Sequence, residues 1–207
     1  MHIQLTYFGS VLADKLASSW PWYMTRATGI VAAVLMTILI MSGIGLLTGL
    51  TYRFLEPLTA WATHRAIGIA FTVAAFVHVF SLLFDKFVGF NLWDLLIPFK
   101  TTYQPARIGS WQAGSFYIAL GIVALYLIIA IIITSLLWVN QRQKLWRLTH
   151  YTSYIVLVFV FLHGMFSGTD LKKGIFRIVW VVGGIIVAYA VLRRLLRAGT
   201  IMGGKKS

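Results

Sequence analysis

The sequence has no cysteine, and that closes several routes at once. Disulfides, thiolate-bound zinc, iron–sulfur clusters and any cofactor attached through thioether bonds are excluded. Charge is scarce as well. Only 11% of the 207 residues are charged, against about one-quarter in an ordinary soluble domain. Acids are scarcest: five Asp and Glu stand against eighteen Lys and Arg, a formal net charge of +13. The five acids form no paired-carboxylate site, so general acid–base chemistry is not implied. Proline is rare too. The sequence places all four prolines outside helix interiors, as regular helices require.

What fills the space is apolar. Hydrophobic residues make up 59% of the chain, which reads as an integral membrane protein of all-α class. The basic residues fall at helix ends and in loops. They read as anchors to anionic lipid, not as a nucleic-acid surface.

Five spans are expected. Residues 1–25 mix Asp14 and Lys15 with apolar residues and close on Trp20-Pro21-Trp22-Tyr23. They lack the basic-then-apolar order of a signal peptide and read as an interfacial segment. A membrane domain follows over 26–197, with a flexible basic tail over 198–207. Its spans run from about Ala27 to Leu50, Ala60 to Phe84, Gly114 to Val139, Leu145 to Phe166 and Ile175 to Leu196. Gly29, Ser42, Gly43, Gly45 and Gly49 suit close helix packing in the first. The longest loop carries Asn91 to Phe99, too short to span and read as a surface piece.

Five spans put the termini on opposite sides. One side gathers ten basic residues against Glu56 alone. The other has eight basic and four acidic residues. The first side, with the C-terminus, is expected to be cytoplasmic, which leaves the N-terminus outside. A bacterial inner membrane fits this reading.

Four of the five histidines fall into two pairs. His64 and His78 lie fourteen residues apart in the second span, and His150 and His163 thirteen apart in the fourth. At about 1.5 Å per residue each pair is separated by roughly 20 Å, about two-thirds of a hydrocarbon core. The second and fourth spans run in the same direction. His64 and His150 therefore share an inner level, and His78 and His163 an outer one. Two imidazoles at one depth on facing helices can take one iron from both sides of a porphyrin, so two levels predict two stacked b-type haems. Bare zinc or copper is less well served, because no cysteine or carboxylate shares either depth. A lone membrane histidine is more often a hydrogen-bonded or relay residue. A proton channel or histidine-relay transporter is the reading of another class, and an anchoring subunit with cross-bracing histidines is a third.

One geometric point stays open. Fourteen residues return to nearly the same helix face, but thirteen do not. Either the fourth helix is overwound locally, or the two cofactors are gripped from different flanks. Arg65 and Arg147, beside or one turn before the inner histidines, are candidate partners for haem propionates or plain orienting charges. Lys86, Arg107, Lys172 and Lys173 are the outer counterparts.

These features resemble the ferric reductase-like transmembrane domain over about residues 26–195. The most specific are the two histidine pairs and the run Leu95-Leu-Ile-Pro98-Phe-Lys-Thr-Thr-Tyr103-Gln-Pro105. To these add Trp146-Arg147-Leu-Thr-His150 and His163-Gly164 through Gly168-Thr-Asp170. The same haem-bearing core occurs in ferric reductases and NADPH oxidases. The resemblance implies that His64, His78, His150 and His163 ligate two haems. It implies electron flow from a cytoplasmic donor, through the inner and then the outer haem, to an outside acceptor such as ferric chelate, oxygen or a periplasmic redox protein. Many members have six spans, and this sequence shows five. No flavin or nicotinamide domain is legible either, and Gly183-Gly184 lies within an apolar helix. The donor is thus expected to be a separate flavoprotein reductase or a quinol, with flavin only on that partner. The haem subunit of bacterial methionine sulfoxide reductase is a similar stand-alone relative, which keeps that type of system as an alternative.

Overall fold

A computed structural model of the chain describes residues 2–103, 107–108, 111–112 and 114–203, with side chains over 18–103 and 115–197. Helix α1 covers His2–Thr48, α2 Pro57–Leu82, α3 Leu92–Leu96 and α4 Gly114–Leu137. Then come α5 Gln143–Tyr151, α6 Ser153–Ser167 and α7 Ile175–Gly203. Two-residue strands β1, Arg107–Ile108, and β2, Trp111–Gln112, pair antiparallel in the long loop. Five segments are long and apolar enough to cross a membrane: Ser18–Thr48, Pro57–Leu82, Ser115–Leu137, Gln143–Ser167 and Ile175–Arg197. With apolar side chains exposed along α7 from Ile175 to Leu196, this fits an integral membrane protein.

The ends of these helices have local causes. Gly49 follows α1 with a φ of +76°, the left-handed conformation that stops a helix at low cost in glycine. Pro57 opens α2 at the first helical position, where its missing N–H is no loss. Asn91 and Asp94 form a reciprocal cap on α3, so the surface piece is a short helix held by its own side chains. Tyr103, in the loop beyond, has its phenol pushed above the ordinary value by burial and by Asp85.

Four expectations change. Pro21 lies inside α1, so not every proline is outside a helix interior. It sits in the first turn of the spanning part that begins at Ser18. One missing N–H there leaves the other turns of a long helix intact. Helix α1 also passes without a break through the expected boundary at residues 25 and 26. The fourth span is two helices rather than one, and the break falls at Thr152. Finally, α7 continues to Gly203, past the expected start of the tail; residues 204–207 lie outside the described residues.

The core lies midway through the bundle. Met36 and Ile40 of α1, Phe71 of α2, Ala124 and Ile128 of α4, Val156 of α6 and Val187 of α7 form one buried cluster. Phe71 stands seven residues from both His64 and His78, so the cluster falls between the two histidine levels. Helix α7 docks on α6 through Trp180, whose ring stacks on Phe161 at 5.6 Å and whose Nε1 donates to the Phe161 carbonyl at 3.2 Å.

Candidate functional site

Both histidine pairs meet across the bundle. The rings of His64 and His150 are 6.3 Å apart centre to centre, and those of His78 and His163 are 6.4 Å apart. The spacing problem in the fourth span is met by local overwinding. Around Thr152 the backbone makes three-residue turns: the Thr152 N–H donates to Thr149 at 3.1 Å, and the Ile155 N–H to Thr152 at 2.9 Å. A thirteen-residue spacing falls about 100° short of a fourteen-residue one, and six steps of a three-fold turn advance about 120° further than six α-helical steps. The break therefore swings His163 round to the face that His150 occupies.

Three of the four rings are held from behind by a hydrogen bond. The Nδ1–H of His78 donates to the Thr25 carbonyl at 2.8 Å, and that of His163 to the Tyr117 carbonyl at 2.9 Å. At the inner level, His64 Nδ1 lies 2.8 Å from the Ser42 hydroxyl oxygen. That hydroxyl already donates to the Leu39 carbonyl at 2.8 Å, so it accepts from His64. A carbonyl can only accept, and Ser42 has spent its one proton. All three imidazoles therefore carry the proton on Nδ1, and in the neutral form each Nε2 is a bare lone pair. An imidazolium at this depth, with no carboxylate pairing it among the described residues, would carry a heavy desolvation cost.

Glycines let the rings sit so close to their braces. A Cβ on Gly29 would lie 3.0 Å from His78 Nδ1, one on Gly43 3.3 Å from His64 Cε1, and one on Gly121 2.7 Å from His163 Nδ1. The close atoms are Nδ1, Cε1 and Cγ in these contacts, so the Nε2 edge faces away from the bracing helix.

The bracing residues follow a sequence repeat that the histidine spacing alone did not bring out. Ala27-x-Gly29-Ile-Val-Ala32-x-x-Leu35 in α1 recurs as Ala119-x-Gly121-Ile-Val-Ala124-x-x-Leu127 in α4. Thr25 and Tyr117 each stand four residues before the glycine, and each offers its carbonyl to the outer histidine of the next span. The α1–α2 and α4–α5–α6 hairpins are thus two copies of one device, related as parallel repeats.

The candidate arginines stand at the surface near the inner histidines. Arg65 and Arg147 are exposed, and the Arg147 Nε–H donates to the carbonyl of Gln143 in its own helix at 3.4 Å. The inner cation that leans toward the site is Arg194 of α7. Its guanidinium lies 5.7 Å from the ring centre of Tyr151, and its buried Nε finds no partner among the described residues. At the His78–His163 end Lys86, Lys172 and Lys173 are exposed, and Arg107 lies where only the backbone is described. Arg26 pairs there with Asp170 through both carboxylate oxygens, and its guanidinium lies 3.9 Å from the Trp22 ring centre. No group of three or more His, Cys, Asp or Glu gathers among the described residues.

A family model described as ferric reductase like transmembrane component matches residues 28–161, more than half of the chain. The chain belongs to the ferric reductase-like transmembrane family. Three of the four paired histidines lie within the match, and His163 lies two residues past its end. Membership suggests transmembrane electron transfer, and the family generally binds haem. No curated protein and no solved structure matches the chain.

Proposed function

We propose that this ferric reductase-like chain carries electrons across the membrane through two b-type haems. The inner haem is held by His64 and His150, the outer by His78 and His163. The observation that carries the reading is the pairing of lone-pair nitrogens. At the outer level both Nδ1 atoms are committed to carbonyls, so two neutral imidazoles facing each other there have no hydrogen bond to share through Nε2. Such a pair suits a metal between them. A metal bonded at about 2 Å to each of two opposed imidazoles, with ring centres about 1.1 Å beyond each nitrogen, sets the centres about 6.2 Å apart. The two pairs lie at 6.3 and 6.4 Å.

Haem at each level would supply one-electron chemistry at two depths. The residues of the chain do the rest. Thr25, Tyr117 and Ser42 fix ring orientation and tautomer, as partners of metal-bound histidines do. Phe71, Val156 and their neighbours keep water from the space between the levels. Arg194, close to Tyr151, would receive a carboxylate at this level, a role for which the sequence offers Arg65 and Arg147 as candidates. With a histidine from the chain on each side, a haem held at either level would pass its electron on without the acceptor having to bind iron.

In this reading the donor, a separate flavoprotein reductase or a quinol, meets the inner face. The acceptor, a ferric chelate, oxygen or a periplasmic redox protein, meets the outer face. A histidine relay suits the geometry less well. At the outer level both Nδ1–H groups are tied to carbonyls, so neither is free to pass a proton on.

The test is vectorial transfer. Protein is reconstituted into sealed vesicles loaded with a membrane-impermeant reductant, with a ferric chelate outside. The expected result is ferrous product outside that depends on the protein and is lost in His64→Ala and His163→Ala. Product formation no faster than in protein-free vesicles would overturn the reading.

A further inference from the structure

The two hairpins repeat, but they do not brace their inner histidines alike. Ser42 stands thirteen residues after Gly29 and accepts the Nδ1–H of His64. Its counterpart thirteen residues after Gly121 is Thr134. That hydroxyl turns back on its own helix, to the carbonyls of Ala130 at 2.8 Å and Ile131 at 3.1 Å. The next position is Gly43 in the first hairpin and Ser135 in the second. Ser135 accepts from Trp146 Nε1 at 3.2 Å, and the Trp146 ring centre lies 5.4 Å from that of His150. His150 Nδ1 itself is buried and has no hydrogen-bond partner among the described residues. Three histidines are therefore held by a hydrogen bond, and His150 is held by ring contact.

The difference has a chemical consequence. An accepted Nδ1–H makes an imidazole more basic at Nε2 and stops it rotating. Loss of such a partner commonly weakens metal binding by about ten- to a hundred-fold. We propose that His150 is the weakest-held of the four haem ligands, that the inner level is therefore where a small neutral π-acceptor such as carbon monoxide displaces a histidine, and that Ser42 is the positioning residue that keeps His64 in place. This rests on the two-haem reading. In place of two equivalent haems it gives an outer level closed on both sides and an inner level with one replaceable side.

The experiment uses the full-length, haem-loaded protein in detergent. The chemically reduced protein is titrated with carbon monoxide and followed by visible absorption. The expected stoichiometry is one carbon monoxide per chain. Ser42→Ala is expected to keep two haems per chain, to shift the low-spin electron paramagnetic resonance signal of one of them, and to tighten carbon monoxide binding about tenfold, because both inner histidines are then unbraced. Ser42→Thr, which keeps the hydroxyl, is expected to restore the original affinity. The proposal is overturned by no carbon monoxide binding, by two equivalent sites, or by an affinity that Ser42→Ala leaves unchanged. A Thr variant that behaves like the Ala variant overturns the positioning role of Ser42. Failure of the two-haem reading looks different: the protein then has no Soret band before any gas is added.

Discussion

His163 donates its Nδ1–H to the carbonyl of Tyr117 at 2.9 Å, one turn before Gly121, the residue whose missing side chain lets the ring approach. His78 has the same relationship to Thr25 and Gly29 in the other hairpin. The two outer histidines are thus fixed twice over, by a backbone acceptor and by a glycine gap, and both constraints come from the preceding span rather than from the helix that bears the histidine.

The ligand assignment predicts level-specific loss. His64→Ala or His150→Ala should lower haem content from about two to about one per chain by removing the inner haem, and His78→Ala or His163→Ala should do so by removing the outer. Haem-to-protein ratio, with redox titration to show which component is gone, measures this. Loss of the same component from an inner and an outer variant would contradict the pairing.

The glycine gaps predict a graded series. A Cβ at Gly121 meets the His163 ring at 2.7 Å, one at Gly29 meets His78 at 3.0 Å and one at Gly43 meets His64 at 3.3 Å. Below 3 Å the ring must move, and a ring tied to a carbonyl has little room to do so. Overpacking of this kind costs about 1–3 kcal/mol. Gly121→Ala should therefore lose its haem most readily on heating, Gly29→Ala less so and Gly43→Ala least. Thermal release of haem in detergent ranks them, and the reverse order would contradict the account.

Much of this arrangement was legible in the sequence. Hydrophobic runs marked five spans because a helix must be about twenty apolar residues long to satisfy its backbone in lipid. The equal depth of the histidines followed from span direction alone. Spacing could not say how His150 and His163 come to one face, because the answer is a tight turn at Thr152. Threonine allows that turn by bonding its own Oγ1 to the Thr149 carbonyl at 2.6 Å, without compelling it. Pro21 is expected outside a helix interior because proline seldom lies within one, yet it stands inside α1. The bracing acceptors were hidden for a plainer reason: two are backbone carbonyls, which any residue can supply. The Ala-x-Gly-Ile-Val-Ala repeat is the feature of the sequence that marks where they stand.

The docking of α7 predicts a contrast between adjacent glycines. A Cβ at Gly184 would lie 2.3 Å from Phe161 Cε2, while one at Gly183 meets nothing within 4 Å. Gly184→Ala should destabilise the α6–α7 contact by about 1–3 kcal/mol. Gly183→Ala should be near neutral. Thermal unfolding of the two variants in one detergent separates them, and equal midpoints would contradict the close approach of the helices.

The outer ion pair predicts a coupling. Arg26 and Asp170 join α1 to the turn before α7, and their side chains are 31% and 21% exposed. That much solvent access limits the pair to about 1 kcal/mol, reduced further by salt. A double-mutant cycle with Arg26→Ala and Asp170→Ala should return a coupling of that size. Additive single effects would show that the contact contributes nothing.

The central claim is that porphyrin iron occupies both histidine levels. Its most direct test is haem quantitation on the purified chain, with reduced-minus-oxidised visible spectra and a redox titration. The account predicts about two b-type haems per chain, both low-spin with two nitrogen ligands in the oxidised state, titrating as two components. A stable, folded protein without a reducible Soret band, in cells supplied with haem, would contradict it.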